Sequence, residues 1–441
     1  MKRKSIFVVG ADAPNMERLR RLPQAKECDF LAALELDEIR GVESFDVPAL
    51  TEKAASRMAE HHGSVDGVVA FYDFPASTIL PILVDRFALP GPRLESVLKC
   101  EHKYWGRLEQ LEVAPDHVPQ FRAFDPCAVH RRGDMPLSPP FWIKPVKSFR
   151  SYLGFLVNDE RDFRAYSDEI CRHVDYIIAP FREMLRAHHM PAEIADMDET
   201  CLAESLISGA QCTLEGYVYQ GEVVLYGIVD SVRAADRSSF SRYQYPSSLP
   251  QTVQHRMANI TRRVIERIAL DNACFDIEYF WDQATDNIWL LEINPRLSQS
   301  HGEIFELVHG VSHQTHMVDI ALGRKPQPLP NDGPYEMAAN CHLRAFEDSR
   351  VQRVPDKDEL RRISERIPGV TVRLYVEQGQ TLSELENQDS YSFEVGSIFV
   401  GGRDELDILE KYDSALEQLG LELAPLRSDA LAPEGTPVTG H

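Results

Sequence analysis

Long apolar runs, C-x-x-C motifs, glycine-rich phosphate fingerprints and surplus positive charge are all missing from this chain of 441 residues. No apolar run approaches a membrane span. The opening MKRKSIFVVGAD is basic and then briefly apolar. That run is too short for a signal segment, no small-residue cleavage site follows it, and it reads as a first buried strand. The eight cysteines (28, 100, 127, 171, 201, 212, 274 and 341) include no C-x-x-C pair. Their scatter predicts free, mostly buried thiols in a reducing compartment, hence a cytoplasmic protein. VVGAD lacks the G-x-G-x-x-G spacing, which argues against a dinucleotide fingerprint. H-E-x-x-H is absent, and although His309 and His313 are four apart, Gly310 interrupts any helix between them, so a zinc site is not expected. Lys and Arg total 47 against 69 Asp and Glu, a net charge of −22. A chain this acidic is not expected to bind nucleic acid or anionic membrane, which need a basic stripe. A small phosphorylated ligand remains compatible, because a metal and a few basic side chains meet its charge locally.

What is present suits a multidomain globular protein. Hydrophobic residues make up 43%, and the length allows about two to three domains. The most informative stretch is FDIEYFWDQATDNIWLLEINPR, residues 275–296. Successive strand side chains point to opposite faces. Phe275, Ile277, Tyr279 and Trp281 therefore share an apolar face, and Asp276, Glu278 and Asp282 share the other. In the following segment, Asn287 to Ile293, apolar residues occupy both parities, the pattern of a central strand buried on both faces. Glu292 ends that run, with Asn294 on the same side. A carboxylate there costs several kcal/mol to desolvate unless something pairs with it. Hard Mg²⁺ takes carboxylate, amide and phosphate oxygens, and Arg296 adds a fork suited to phosphate or carboxylate. Spacing alone leaves two readings open: a magnesium site, or a hairpin with an Asp-rich turn whose Arg296 pairs with Glu292.

The rest of the chain reads as alternating elements. Strands at Ser5–Val9 and Val65–Phe71, with helices at Leu50–His61 and Pro75–Phe87, imply a parallel α/β unit. A charged helix spans Leu94–Val113. In FWIKPVKSF, Lys144 lies within an apolar strand, either facing an anion or snorkelling from an edge. Residues 159–190 form a helix or helix pair broken at Pro180, and 200–233 is rich in strand. Ala234–Pro250 is polar, Ser-rich and without periodicity, a long loop of the kind that forms lids; of the arginines in it and just before it, Arg233 and Arg242 rather than Arg237 are the candidates for a substrate carboxylate or the γ-phosphate. Pro250–Leu270 is an amphipathic helix, and Ser312–Leu322 another. His301, five residues past Arg296, is placed to contact substrate.

Taken together, these segments resemble the ATP-grasp superfamily of carboxylate-amine ligase type, in the branch of biotin carboxylase and D-alanine–D-alanine ligase. The resemblance implies an α/β (α+β) fold: an N-terminal Rossmann-like domain (1–93), an ATP-grasp core (94–323), a linker (324–335), a C-terminal α+β domain (336–423) and a disordered tail (424–441). It implies ATP and Mg²⁺ (or Mn²⁺) as cofactors. Carried over residue by residue, Glu278, Glu292 and Asn294 become the metal ligands, and Arg296 faces the transferred phosphate or acyl group. Lys103 and Lys144 reach the ATP phosphates, Glu204 to Ile207 line the adenine and ribose end, and Glu215 is a carboxylate facing the nucleotide. Arg344 faces the acceptor. The family's glycine-rich phosphate loop is replaced by KSFRSYLGF (147–155), with one glycine, so that Ser148, Arg150 and Ser151 would donate from side chains beside the bulky Phe149 and Tyr152.

The reaction implied is ATP-dependent joining of a small carboxylate to an amine, amino acids among them, through an acyl phosphate, by a protein expected to be a homodimer. Two alternatives stand beside it. Biotin-dependent carboxylation is disfavoured because Ser300 stands where that branch places its glutamate base, before His301, and no biotin-acceptor domain is evident. A non-catalytic nucleotide-binding module is the other.

Overall fold

The apolar run Ile6–Val9 forms the centre of β1 (Lys4–Ala11), the middle strand of a parallel sheet ordered β2-β1-β3, with β2 at Cys28–Glu35 and β3 at Gly67–Ala70. β2 is a strand the sequence did not suggest. Its Ala-Ala-Leu-Glu stretch favours helix intrinsically, and parallel pairing with β1 overrides that preference. The computed structural model describes residues 2–40, 45–129, 135–148, 152–233, 239–385, 388 and 392–426. Phe149, Arg150, Ser151, Arg237 and the segment from 427 onward, all named above, lie outside them.

The stretch expected as one helix at Leu94–Val113 is two, Leu94–Glu101 and Lys103–Val113. His102 between them is extended (φ −90°, ψ 99°), and its Nδ1 accepts the N–H of Trp105 at 3.2 Å. That cap makes Lys103 the first residue of the second helix. A four-stranded antiparallel sheet follows, ordered β4-β7-β5-β6: β4 Phe121–Phe124, β5 Phe141–Pro145, β6 Phe155–Val157 and β7 Cys201–Ser205. Between β6 and β7 run helices Glu160–His173 and Asp175–Ala187. Their break falls at Val174, and Pro180 sits inside the second helix, correcting the expected break. Cys127 and Cys171 form a disulfide with Cα atoms 5.2 Å apart, correcting the expectation that these thiols are free; the other six are free and buried.

An eight-stranded antiparallel sheet completes the frame, ordered β12-β11-β8-β9-β10-β13-β16-β15. Its strands are β8 (Ala210–Tyr219), β9 (Glu222–Arg233), β10 (Phe240–Tyr245), β11 (Ala273–Asp282), β12 (Asn287–Asn294), β13 (Met337–Ala345), β15 (Val370–Leu374) and β16 (Phe393–Gly402). β14 (Ser349–Arg353) pairs separately with β17 (Glu422–Pro425). β10 lies within the segment expected to be a lid loop. It pairs with both β9 and β13 and so joins the C-terminal strands to the core sheet. Helix Gln251–Ile268 lays Met257, Ile260, Val264 and Ile268 against Phe275, Ile277, Tyr279, Leu290 and Ile293. This packing explains why the odd-numbered face of β11 is apolar.

β12 is an edge strand, not the central one its composition suggested. Its exposed acceptors are met by side chains: Arg107 donates to the carbonyls of Leu290 (2.9 Å) and Leu291 (2.8 Å), and His117 Nδ1 lies 2.8 Å from the carbonyl of Ile288. Covering an edge in this way blocks pairing with another chain.

Candidate active site

The two sheets and the N-terminal unit enclose a cavity of about 900 Å³. β11 and β12 form one wall. Asp276 pairs with Asn294 and Glu278 with Glu292, but Tyr279 pairs with Leu290, which leaves Leu291 as a bulge residue. The bulge shifts the side-chain alternation by one. Leu290 and Ile293 can therefore both face the core while Glu292 and Asn294 face the cavity, which is why β12 looked apolar on both parities.

Each charged group in this wall has a defined partner. Gln211 Nε2 donates to Glu278 Oε2 at 3.0 Å, and Arg233 donates to Gln211 Oε1 at 2.7 Å. Lys103 Nζ donates to Glu292 Oε1 at 2.6 Å. Asn294 Nδ2 donates to Asp276 Oδ1 at 2.8 Å. Arg296 bridges Asp73 (2.7 Å) and Asp276 (3.1 Å) rather than pairing with Glu292. Burial, reinforced by the charges of Glu292 and Asp276, pushes the Glu278 carboxyl up to about 7. Burial also opposes ionisation of Glu292, but the charges of Lys103 and Lys144 outweigh it and hold Glu292 below the ordinary carboxylate value. The two carboxylates thus diverge because the lysines stand on the Glu292 side.

The opposite wall carries the cations. Lys144 Nζ lies 2.5 Å from Glu204 Oε2, and Arg107 Nε lies 2.5 Å from Glu204 Oε1. Burial acts against the Glu204 charge, yet Arg107 and Lys144 together hold this carboxyl at about 2. Burial lowers Lys144. Lys147 is ion-paired to Glu101, lies 5.7 Å and 5.8 Å from the ring centres of Phe74 and Phe181, and is pushed down to about 8 by burial.

Residues 137–302 match the family profile of the ATP-grasp domain. The chain carries an ATP-grasp domain. Its fold over nearly the whole length is shared with solved structures of low sequence identity. The L-amino acid ligase from Bacillus licheniformis superposes with a TM-score of 0.70 at 15% identity, covering 97% of this chain and 100% of that one. A carboxyaminoimidazole ribonucleotide synthase from Aspergillus clavatus complexed with ATP gives 0.63 at 14%, covering 95% and 98%. The biotin carboxylase domain of the Hydrogenobacter thermophilus 2-oxoglutarate carboxylase, solved with MgADP, ADP and bicarbonate, gives 0.60 at 15%, covering 96% and 91%.

Within the cavity, Lys103, Lys144, Ser148, Glu204, Ile207, Arg233, Glu278, Glu292, Asn294, Arg296 and His301 all contribute to the lining. Three expectations are corrected. Glu215 does not line the cavity; it is fully buried behind His301, whose Nδ1 lies 2.8 Å from its Oε1. Arg242 turns outward to Glu405 and Gln244. Arg344 is also absent from the lining; it holds β10 through the carbonyl of Phe240 at 2.9 Å. Four charged residues with defined roles here were not singled out as site residues from sequence: Asp73, Glu101, Arg107 and Lys147. Asp73 follows the C-terminal end of β3 in a parallel sheet, the place where such sheets put ligand groups. Arg107 and Lys147 sit among other charges and carried no such signal.

The donor set suits Mg²⁺. Among the described residues no three His, Cys, Asp or Glu side chains form a metal nest. Glu278, Glu292 and Asn294 provide two carboxylates and an amide, the sparse hard-oxygen set Mg²⁺ uses when substrate phosphates fill its shell.

Proposed function

We propose that this protein is an ADP-forming ligase that joins a small carboxylate to an amine, with amino acids as the first substrates to test. The carrying observation is the opposition of charges across one cavity: Glu278, Glu292 and Asn294 on one wall, Lys103 and Lys144 facing them, and Arg296 between that centre and the N-terminal unit. Metal ions held by Glu278, Glu292 and Asn294 would neutralise the phosphate oxygens. Lys103 and Lys144, now closed onto Glu292 and Glu204, would turn to the β- and γ-phosphates, and Arg296 would orient the carboxylate at the γ-phosphorus. Attack by that carboxylate breaks the β–γ bond and releases ADP; attack by the amine on the acyl carbon then expels phosphate.

Support comes from the ATP-grasp domain and from a fold shared with an L-amino acid ligase. Carboxylation is the less favoured chemistry, since Ser300, whose hydroxyl bonds that of Ser298 at 2.9 Å, is no base for bicarbonate. The deciding assay measures ADP and phosphate release with Mg²⁺-ATP and pairs of amino acids. ADP formation that requires both an acyl donor and an amine supports the ligase. Turnover requiring bicarbonate and biotin would replace it, and ATP binding without any substrate-dependent ADP would make the chain a binding module.

A further inference from the structure

Glu215 and His301 are unused by the phosphoryl-transfer chemistry above, yet they form a buried pair at the edge of the cavity. Glu215 lies on β8 directly beside Asp276 of β11. His301 ends the turn that follows β12 and lines the cavity, though only 2% of its surface is exposed. Glu215 accepts at both oxygens: from the Ser298 N–H (3.2 Å) at Oε1 and from the Tyr226 hydroxyl (3.2 Å) at Oε2. With the carboxylate acting as acceptor throughout, His301 Nδ1 carries the proton at 2.8 Å, and Nε2 presents a lone pair. The Tyr243 ring stands edge-on to the imidazole at 5.1 Å and fixes its plane. A histidine held in one tautomer by a buried carboxylate, with its free nitrogen toward a substrate cavity, has the arrangement of a general base.

We propose that His301, positioned by Glu215, is the base that deprotonates the incoming ammonium group of the amine substrate. The inference rests on the ligase reading. One proton passes from the ammonium to His301 Nε2. The free amine nitrogen then bonds to the acyl carbon, the carbon–oxygen bond to phosphate breaks, and the second nitrogen proton leaves with the phosphate. No oxidant or further reactant is needed. Burial pushes Glu215 up to about 8 and, with the nearby charge of Arg296, holds His301 down at about 3. His301 therefore gains a second proton only against the Glu215 carboxylate held 2.8 Å from its Nδ1. The other titratable groups around the pair include Arg296, His342, His313 (Nε2 4.0 Å from Glu215), Tyr226, Tyr243, Cys274 and Asp276.

The test separates the two halves of the reaction. Acyl-phosphate formation is followed with hydroxylamine, which is largely unprotonated at neutral pH and needs no base, as hydroxamate from each common amino acid with Mg²⁺-ATP. Amide formation is followed with pairs of the same amino acids. In His301→Gln and in the shape-conserving Glu215→Gln, amide formation at pH 7 should fall by about 100-fold or more. Hydroxamate formation should fall at least tenfold less, and the amide deficit should shrink as pH rises and free amine accumulates. Parallel loss of both activities, or retention of both, in the two variants would overturn the proposal. Wild-type protein giving neither hydroxamate nor ADP would instead remove the ligase reading, and this inference with it.

Discussion

Replacing Glu204 by Gln tests whether the cation wall is a coupled, buried unit. Glu204 has side-chain exposure of only 5% and is flanked by Arg107 and Lys144, at 3% and 19%. Its carboxyl is held at about 2 against an ordinary 4.5. At roughly 1.4 kcal/mol per pH unit of difference, that depression is worth about 3.5 kcal/mol. Because the folded value is depressed, the contribution is fully present above about pH 4.5 and is lost as pH falls from there toward 2. Gln keeps the shape but leaves two cations facing each other in a buried site, so the cost at pH 7 should be about 3 to 5 kcal/mol. Urea unfolding measured from pH 7 down to pH 3 should show a lower midpoint for Glu204→Gln at neutral pH and a flatter acid limb, with the two proteins converging as pH falls. Adding Lys144→Met to Glu204→Gln should recover part of the loss, since it removes the stranded charge. Saturating Mg²⁺-ATP should stabilise Glu204→Gln more than wild type if the nucleotide phosphates take over Lys144. A Glu204→Gln protein within about 1 kcal/mol of wild type at pH 7, with an unchanged acid limb, would refute the buried-unit argument.

Glu292→Gln should lower turnover by at least about 100-fold while costing only about 1 kcal/mol of stability, because the Glu292 side chain is 34% exposed; full activity in this variant would reject the metal assignment. Gln211→Leu removes a donor to Glu278 and one partner of Arg233, and should weaken Mg²⁺ activation by about 10- to 100-fold with the nucleotide saturating, read from the Mg²⁺ dependence of ADP release. Glu278 sits at about 7 without metal, so Mg²⁺-nucleotide uptake should release close to one proton at pH 6 and much less at pH 8; calorimetry in buffers of different ionisation enthalpy measures this, and proton release independent of pH would contradict it. Arg107→Lys cannot span Glu204 and the carbonyls of Leu290 and Leu291 together, and should lower stability by about 2 to 3 kcal/mol; an unchanged urea midpoint would count against its bracing role.

How much of this was legible depends on how each residue's neighbours are ordered along the chain. β11 was readable because strict alternation records one buried face, and Phe275, Ile277 and Tyr279 do pack in the core. β12 was readable as a strand but not as an edge, because a bulge mixes parities as two-sided burial does. Lys144 stood out because its immediate neighbours are apolar. Arg107 and Lys147 did not, because a cation among other charges has the signature of a solvated face whichever way it points. Glu215 was misread: its neighbour Asp276 on β11 reaches the cavity, but Glu215 itself is buried behind His301. What sequence could not supply was pairing. Lys103 meets Glu292 across 189 residues, Arg107 meets Glu204 across 97, and Arg296 meets Asp73 across 223. Each pair ties elements far apart in the chain, so the charges that would receive a nucleotide also hold the cavity walls together without one. Exchanging Lys103 from Glu292, and Lys144 from Glu204, to phosphate oxygens would release the two carboxylates at once. Glu292 would then gain a metal, whereas Glu204 would keep Arg107. The side-chain exposures, 5% for Glu204 and 34% for Glu292, match that asymmetry: on the proposed reading the first would remain a brace and only the second would change partners.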